Sequence, residues 1–239
     1  MSVHHFFADD VSGDRITLSR DDSRHALRVL RIRAGERITI SDGMGSVVEA
    51  TVADAAGDRL TADVSARRNE ARPRPALCVA QAVPKRGKLD LIVQKLTELG
   101  VSSIAPFASE RSVPRWDASK GDAHAARLRE VARQAAMQSR RAWLPDISAP
   151  VVADSLALDT PAFVLDESVA TRLTAALPAD APGSVAIVVG PEGGLTEDEV
   201  TAFRDHGATP VTLGPMILRT ETAGLAAAAI VLSRYDLLG

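Results

Sequence analysis

Only one cysteine, Cys78, stands in the 239 residues. That excludes an internal disulfide framework and a cysteine-built metal site. Its place in the apolar run ALCVAQA predicts a buried small hydrophobe. No apolar run approaches the ~20 residues of a membrane-spanning helix. The first ten residues, MSVHHFFADD, lack the basic and apolar regions of a signal peptide. A soluble, cytoplasmic chain with no membrane partner is expected. The five histidines (His4, His5, His25, His124, His206) show no ligand spacing such as HExxH, so no metal is expected. GxGxxG and GxxxxGKS/T are both missing, which argues against a Rossmann dinucleotide site and a P-loop.

A strong net charge is missing too: the balance is −3. The distribution says more. Residues 1–143 carry 24 Lys+Arg against 18 Asp+Glu, and residues 144–239 carry 4 against 13. Six arginines fall within residues 20–37, and eight basic residues within 111–143. Such stretches suit phosphate contacts even on an acidic protein, although solvated helix faces give the same pattern. A chain of this length buries roughly 70–75% of its unfolded surface and needs no covalent staple.

Residues 1–66 read as small β-rich structure. Arg15–Leu18, Arg37–Ile40, Val47–Val52 and Leu60–Val64 are short strands punctuated by glycines, which suggests a small barrel. A helix over Asp21–Arg31 interrupts them, with Ala26, Leu27, Val29 and Leu30 apolar and Asp21 or Asp22 as its cap. The polar stretch RRNEARPRP, residues 67–75, reads as a linker. It divides the chain into residues 1–72 and 73–239. Beyond it, Ala76–Ala82 reads as a buried strand, Lys88–Leu99 as an amphipathic helix closed by Gly100, and Val101–Phe107 as a strand. That order indicates βαβ architecture. A helix over Gly121–Arg141 follows a loop. Trp116 and Trp143 suit base stacking or, more simply, burial. Phe163–Leu165 is a short strand ahead of a helix that runs to about Leu177.

The stretch from Val185 to Leu232 organises the rest. An apolar run, Val185–Val189, closes on Gly190-Pro191-Glu192-Gly193-Gly194, and Thr196 with Glu199 three residues on forms a helix-start signature. The plan then repeats: a strand over Val211–Leu213, a Gly214-Pro215 turn, and a small-residue helix over Arg219–Tyr235. Glycines at strand ends allow a ligand close to the backbone, because no Cβ intervenes. In open α/β sheets ligands sit outside the carboxyl ends of the strands. GPEGG alone is more often a plain turn than a site. The pair of units is more specific, with Arg219, Thr220, Glu221 and Thr222 between Leu218 and an alanine-rich helix. That helix is apolar on nearly every side, so it must be buried in its own core or against a partner.

GPEGGLTEDE followed by LGPMILRTETA closely resembles the RsmE family of ribosomal RNA methyltransferases, in the SPOUT superfamily. QKLTELGV at Gln94–Val101 and HALRVLR at His25–Arg31 resemble further signatures of that family, in the same order along nearly the whole chain. Gln138-Ser139-Arg140-Arg141 resembles its QSxR stretch, with Met137 where a polar residue is common.

The resemblance implies a mainly parallel α/β sheet with a trefoil knot near the carboxyl terminus, preceded by a PUA-like RNA-binding barrel. It implies S-adenosylmethionine as cofactor, methylation of uridine N3 in 16S ribosomal RNA of the small subunit, and a homodimer through the last helix. Carried onto this chain, the cofactor set is Leu165, Glu167, Val189, Gly190, Pro191, Glu192, Gly194, Leu213, Gly214, Ile217, Leu218 and Thr220. Arg219, Glu221 and Thr222 are the catalytic candidates. His25, Arg28, Arg31, Arg33, Lys85, Arg86, Lys88, Arg140 and Arg141 are the RNA candidates. N3 of uracil bears a weakly acidic proton and is a poor nucleophile until it leaves. Arg219 is the candidate cation for the charge on the uracil carbonyls. Glu221 either orients Arg219 or accepts the proton. Two other classes stay open: a non-catalytic RNA-binding or ribosome-assembly factor, and a nucleotide-dependent α/β enzyme.

Overall fold

The computed structural model describes residues 3–85, 87–112, 121–158 and 161–238. It divides into two compact units, residues 1–72 with 133–144, and residues 73–132 with 145–239.

The first unit holds a five-stranded sheet of β1 (His4–Phe7), β2 (Arg15–Thr17), β3 (Arg37–Ser41), β4 (Ser46–Ala56) and β5 (Arg59–Asn69), in the order β1-β3-β4-β5-β2. β1 pairs with β3 in parallel, and the remaining pairs are antiparallel. Alternation builds the core: Ile38 and Ile40 on β3, Val48, Ala50 and Val52 on β4, and Leu60 and Ala62 on β5 are buried together. β1 is absent from the sequence reading, because His4 and His5 mask its alternation. β4 and β5 reach further than expected. They form one long hairpin in which β5 takes in residues 67–69 of the expected linker.

The helix expected over Asp21–Arg31 is α1 (Arg20–Arg24), continued by a π-helical turn, His25–Val29. Its cap is Ser19, whose Oγ accepts the Asp22 N–H at 3.1 Å; neither Asp21 nor Asp22 caps it. The wider turn rotates Val29 outward, so it is exposed where helical spacing placed it inward. Arg31 then takes a left-handed backbone, φ 57°.

In the second unit a seven-stranded sheet joins β6 (Ala76–Ala82), β7 (Ser103–Ala108), β8 (Asp146–Ile147), β9 (Val151–Val152), β10 (Ala162–Leu165), β11 (Ser184–Val189) and β12 (Ala208–Val211). The order is β12-β10-β11-β6-β7-β8, with β9 also on β7, and every pairing is parallel. Helices are α2 (Leu89–Leu99), α3 (Gly121–Ser139), α4 (Leu173–Ala176), α5 (Glu197–Asp205) and α6 (Thr220–Arg234). α3 crosses the unit boundary, its last turns belonging to residues 133–144.

Both faces of the sheet are covered, which is why β6 and β11 read as near-continuous apolar runs. One face buries Leu77, Val79, Val185, Ile187 and Val189 with Ile92 and Leu96 of α2 and Ala227, Ala228 and Val231 of α6. The other buries Ala80, Ala82, Ala186 and Val188 with Phe203 of α5. Cys78 is half-buried beside that second cluster. The expected strand over Val211–Leu213 starts earlier, at Ala208, and ends at Val211. Gly207 and Pro210 hid it in the sequence; Pro210 sits in it because β12 is the edge strand. The helix expected to reach Leu177 is only the single turn α4. Among the described residues, no helix is long and apolar enough to cross a membrane.

Candidate active site

Because β10, β11 and β12 run parallel, the loops after Leu165, Val189 and Val211 emerge at the same end of the sheet. That end is where sheets of this kind hold ligands. Thr196 closes the second loop with a full capping box: its Oγ1 accepts the Glu199 N–H at 3.2 Å, and the Glu199 carboxylate accepts the Thr196 N–H at 2.9 Å. Glu199 also accepts the Glu110 N–H at 2.8 Å. Arg111 donates to the carbonyls of Gly193 at 3.0 Å and Leu195 at 3.4 Å. The GPEGG loop is therefore anchored from both sides.

Its glycines differ. At Gly190 a Cβ would come within 3.1 Å of Leu195. At Gly194, φ +70°, and at Gly214, φ +135°, a Cβ would meet nothing within 4 Å. Both adopt backbones that side chains disfavour, beside open space that a ligand can enter. Past Gly214, Met216, Ile217 and Leu218 are exposed apolar residues, 76%, 79% and 37% accessible. Open glycine backbone beside an apolar loop fits a cofactor with an aromatic base, which takes hydrogen bonds at its edge and apolar contact on its face. Leu165, Gly190, Leu213 and Gly214 are half-buried around this end; Val189 and Pro191 are buried behind it, and Glu167 is exposed.

Three charged residues of the expected set meet at one point. Lys88 Nζ lies 2.9 Å from Glu221 Oε1 and 3.8 Å from Glu192 Oε1. Glu192 also accepts the Lys85 N–H, at 3.1 and 3.2 Å to its two oxygens. Hydrogen bonding to Lys88 holds the Glu221 carboxyl below its ordinary range, helped by a backbone N–H and by the charges of Lys88 and Arg219. Arg219 is the N-cap residue of α6, extended and exposed, and its carbonyl accepts the Thr222 and Ala223 N–H groups. Thr220 is buried, with its hydroxyl donated to Gly190 O at 2.6 Å and accepting from Gln81 Nε2 at 2.9 Å. The Thr222 side chain turns away, lining an open groove of about 460 Å³ with Lys95, Leu99, Leu225 and Ala229.

The structure thus brings Glu192, Glu221 and Lys88 together, with Arg219 beside Glu221 and Thr220 against Gly190. Lys88, read as an RNA contact, is drawn into two carboxylates. The other RNA candidates divide between the units. His25, Arg28, Arg31 and Arg33 are exposed in the first, where Arg28 pairs with Asp58 at 2.8 Å. Arg140 is exposed with φ 58°, and burial pushes the Arg141 guanidinium down to about 10. Trp143 is packed: its Nε1 donates to Glu70 O at 2.9 Å, and Arg72 lies 5.6 Å over its ring. Lys85 is exposed in the second unit; Arg86 and Trp116 lie outside the described residues. Gln81 and Arg111 were missed. Gln81 carried a signal, a lone polar residue at an inward position of an apolar strand. Arg111 carried none, since its partners lie some eighty residues away.

A family model described as an RNA methyltransferase domain matches residues 71–232, and one described as an RNA methyltransferase PUA domain matches residues 18–65. A Mycobacterium bovis protein named ribosomal RNA small subunit methyltransferase E is 36% identical, covering 97% of this chain and 93% of its own. A Bacillus subtilis protein of the same name is 31% identical over 93% and 91%. The crystal structure of a ribosomal RNA small subunit methyltransferase E from Neisseria gonorrhoeae, bound to S-adenosylmethionine, superposes with a TM-score of 0.87 at 28% identity, over 97% and 98% of the two chains.

Proposed function

The chain belongs to the ribosomal RNA small subunit methyltransferase E family, and on that premise we propose that it methylates N3 of a uridine in 16S ribosomal RNA with S-adenosylmethionine. The observation that carries the reading is the joint between the two glycine-loop units, Thr220 hydroxyl to Gly190 carbonyl at 2.6 Å. It sets the polar first turn of α6 against the start of the GPEGG loop.

Bound S-adenosylmethionine supplies a methyl group on a positively charged sulfur. The chain's residues do the rest. Backbone groups of Gly190, Gly194, Leu213 and Gly214 hold the cofactor, with Ile217 and Leu218 against its apolar parts. Leu165 and Glu167 flank it from the β10 loop. Arg219 offers a planar set of donors to the uracil carbonyl oxygens, favouring the anion that N3 must become. Glu221, held ionised by Lys88, is a weak base; it serves to orient Arg219 and Lys88 rather than to remove the proton from N3. Solvent at this open end takes that proton.

His25, Arg28, Arg31 and Arg33 in the PUA-like unit, with Lys85, Arg86 and Arg140, supply phosphate contacts; the buried guanidinium of Arg141 is not placed for one. The sheet order, in which β10 lies between β11 and β12, is compatible with a trefoil knot, and the hairpins of the first unit with a barrel. α6 leaves Leu225, Ala226, Ala229 and Ile230 half-buried along two open grooves. A second copy packed there makes a homodimer whose site is completed by both chains. The place of action is the cytoplasm. Calorimetry with S-adenosylmethionine tests the reading cheaply: micromolar binding with one site per chain is expected. An absence of binding would overturn the reading in favour of an RNA-binding or assembly factor, or of an α/β enzyme with another nucleotide.

A further inference from the structure

Gln81 is a polar side chain where the fold asks for an apolar one. It follows Leu77 and Val79 on the α6-covered face of β6, and none of it is exposed. Its orientation is fixed by its partners. Nε2 donates to Ala82 O at 3.1 Å and to Thr220 Oγ1 at 2.9 Å. A flipped amide would set Oε1 against the Ala82 carbonyl, acceptor facing acceptor. The Thr220 hydroxyl, having accepted, gives its single proton to Gly190 O at 2.6 Å. One directed chain of hydrogen bonds therefore runs from the end of β6, through the first residue of α6, to the end of β11.

The cost of this arrangement is visible. Gln81 Oε1 is buried without a partner, and an unpaired buried carbonyl is destabilising. Gly224 stands in the middle of α6, where a Cβ would come within 3.1 Å of that oxygen. Glycine weakens a helix interior. Leucine at 81 with alanine at 224 would relieve both penalties. Two local concessions serving one amide point to a use beyond packing.

We propose that Gln81 is a positioning residue for methyl transfer, an inference that rests on the methyltransferase reading above. It fixes the Thr220 hydroxyl as a donor to Gly190 O. That holds the first turn of α6, with Arg219 and Glu221, in register with the GPEGG loop. Without the amide, the hydroxyl is free to rotate and the joint between the two loop units loosens. Gln81 touches neither cofactor nor uracil in this account; it acts through Thr220.

The test compares full-length wild type with Gln81→Leu, Thr220→Val and the double variant. Gln81→Met, more flexible, serves if leucine packs badly. Thermal unfolding, S-adenosylmethionine affinity and steady-state methyl transfer are measured on each. Gln81→Leu is expected to keep or raise Tm, because the unpaired carbonyl is gone. Its kcat is expected to fall on the order of tenfold, the scale of one hydrogen bond, with KM for RNA unchanged. Added to Thr220→Val, it is expected to cost nothing more. An unchanged kcat in a folded variant overturns the proposal. So does a loss that only follows a lowered Tm, or one that adds fully to that of Thr220→Val. Wild-type protein without methyl transfer sinks the underlying reading as well; wild-type transfer with unaffected variants sinks the role of Gln81 alone.

Discussion

Lys88 Nζ lies 2.9 Å from Glu221 Oε1, joining the start of α2 to the first turn of α6. Both side chains are less than a third exposed. The pairing supports the orienting role proposed for Glu221: a carboxylate held ionised by an ammonium group orients its neighbours better than it takes up protons. Lys88→Met leaves that carboxylate without its main partner. We expect a loss of about 1–3 kcal/mol, between the values for exposed and buried pairs. Glu221 has a lowered folded pKa, so its contribution is present above the ordinary carboxylate range and is lost as pH falls through the lower, folded value. The gap between wild type and Lys88→Met should therefore close on acidification. A gap that stays constant down to strongly acid pH would show that Glu221 is not what Lys88 stabilises.

A separate pH dependence belongs to the first unit. His5 is buried between Thr39 Oγ1, 2.8 Å from Nδ1, and Arg141 O, 3.1 Å from Nε2. Burial lowers its pKa from 6.5 to about 4. The unfolded chain takes up this proton near pH 6.5 and the folded chain does not. Stability from His5 is thus full above pH 6.5 and declines down to about 4, by about 3 kcal/mol at most. His5→Gln should flatten the denaturant midpoint across that window. An equally steep decline in the variant would assign the effect to other groups.

The loops offer a test of backbone approach. Gly194→Val puts a branched side chain where no protein atom lies within 4 Å. The chain should fold with a penalty of about 1–2 kcal/mol for the left-handed backbone. Affinity for S-adenosylmethionine should drop at least tenfold, read by calorimetry. Equal affinity in the folded variant would remove this loop from the cofactor site.

RNA binding makes a different prediction. Arg31 is exposed, whereas Arg28 shares Asp58 with Arg24. Replacing both arginines with glutamine should reduce the salt dependence of RNA binding, by up to about 0.7–0.9 in slope for each phosphate no longer neutralised. Arg31→Gln alone should account for most of it. Cofactor affinity should hold, because the glycine loops belong to the other unit. An unaltered slope would mean that neither guanidinium touches phosphate.

Much of this was legible in the chain itself. The runs that became β6 and β11 are continuous because both faces of a parallel sheet are covered. Gly100 ends α2 with φ 102°, as its position after Leu99 foretold. Thr196 and Glu199 spelled out their capping box at a spacing of three residues. What stayed hidden depended on distance or on local exceptions. The Lys88–Glu221 pair spans 133 residues, and no periodicity encodes it. β12 carries a proline that only its edge position permits. The π-helical turn at His25–Val29 shifts Val29 outward by a change that 3.6-residue spacing does not predict. Residues 133–144 group with the first unit because His5, Ser41 and Asp22 find partners there, at Arg141 O, Ala142 O and Arg133. That too is invisible in a linear reading.

The most direct measurement is methyl transfer to 16S ribosomal RNA from cells lacking this activity, offered as free RNA and as small subunits. Purified protein and labelled S-adenosylmethionine are added, and the methylated nucleoside is identified by mass spectrometry. N3-methyluridine at a single position is the expected product. Arg219→Ala is expected to lower the rate roughly 10²–10³-fold while cofactor affinity changes much less. Methyl groups on another atom, or none on either substrate, would contradict the proposed reaction; a near-wild-type rate in Arg219→Ala would contradict the place given to its guanidinium.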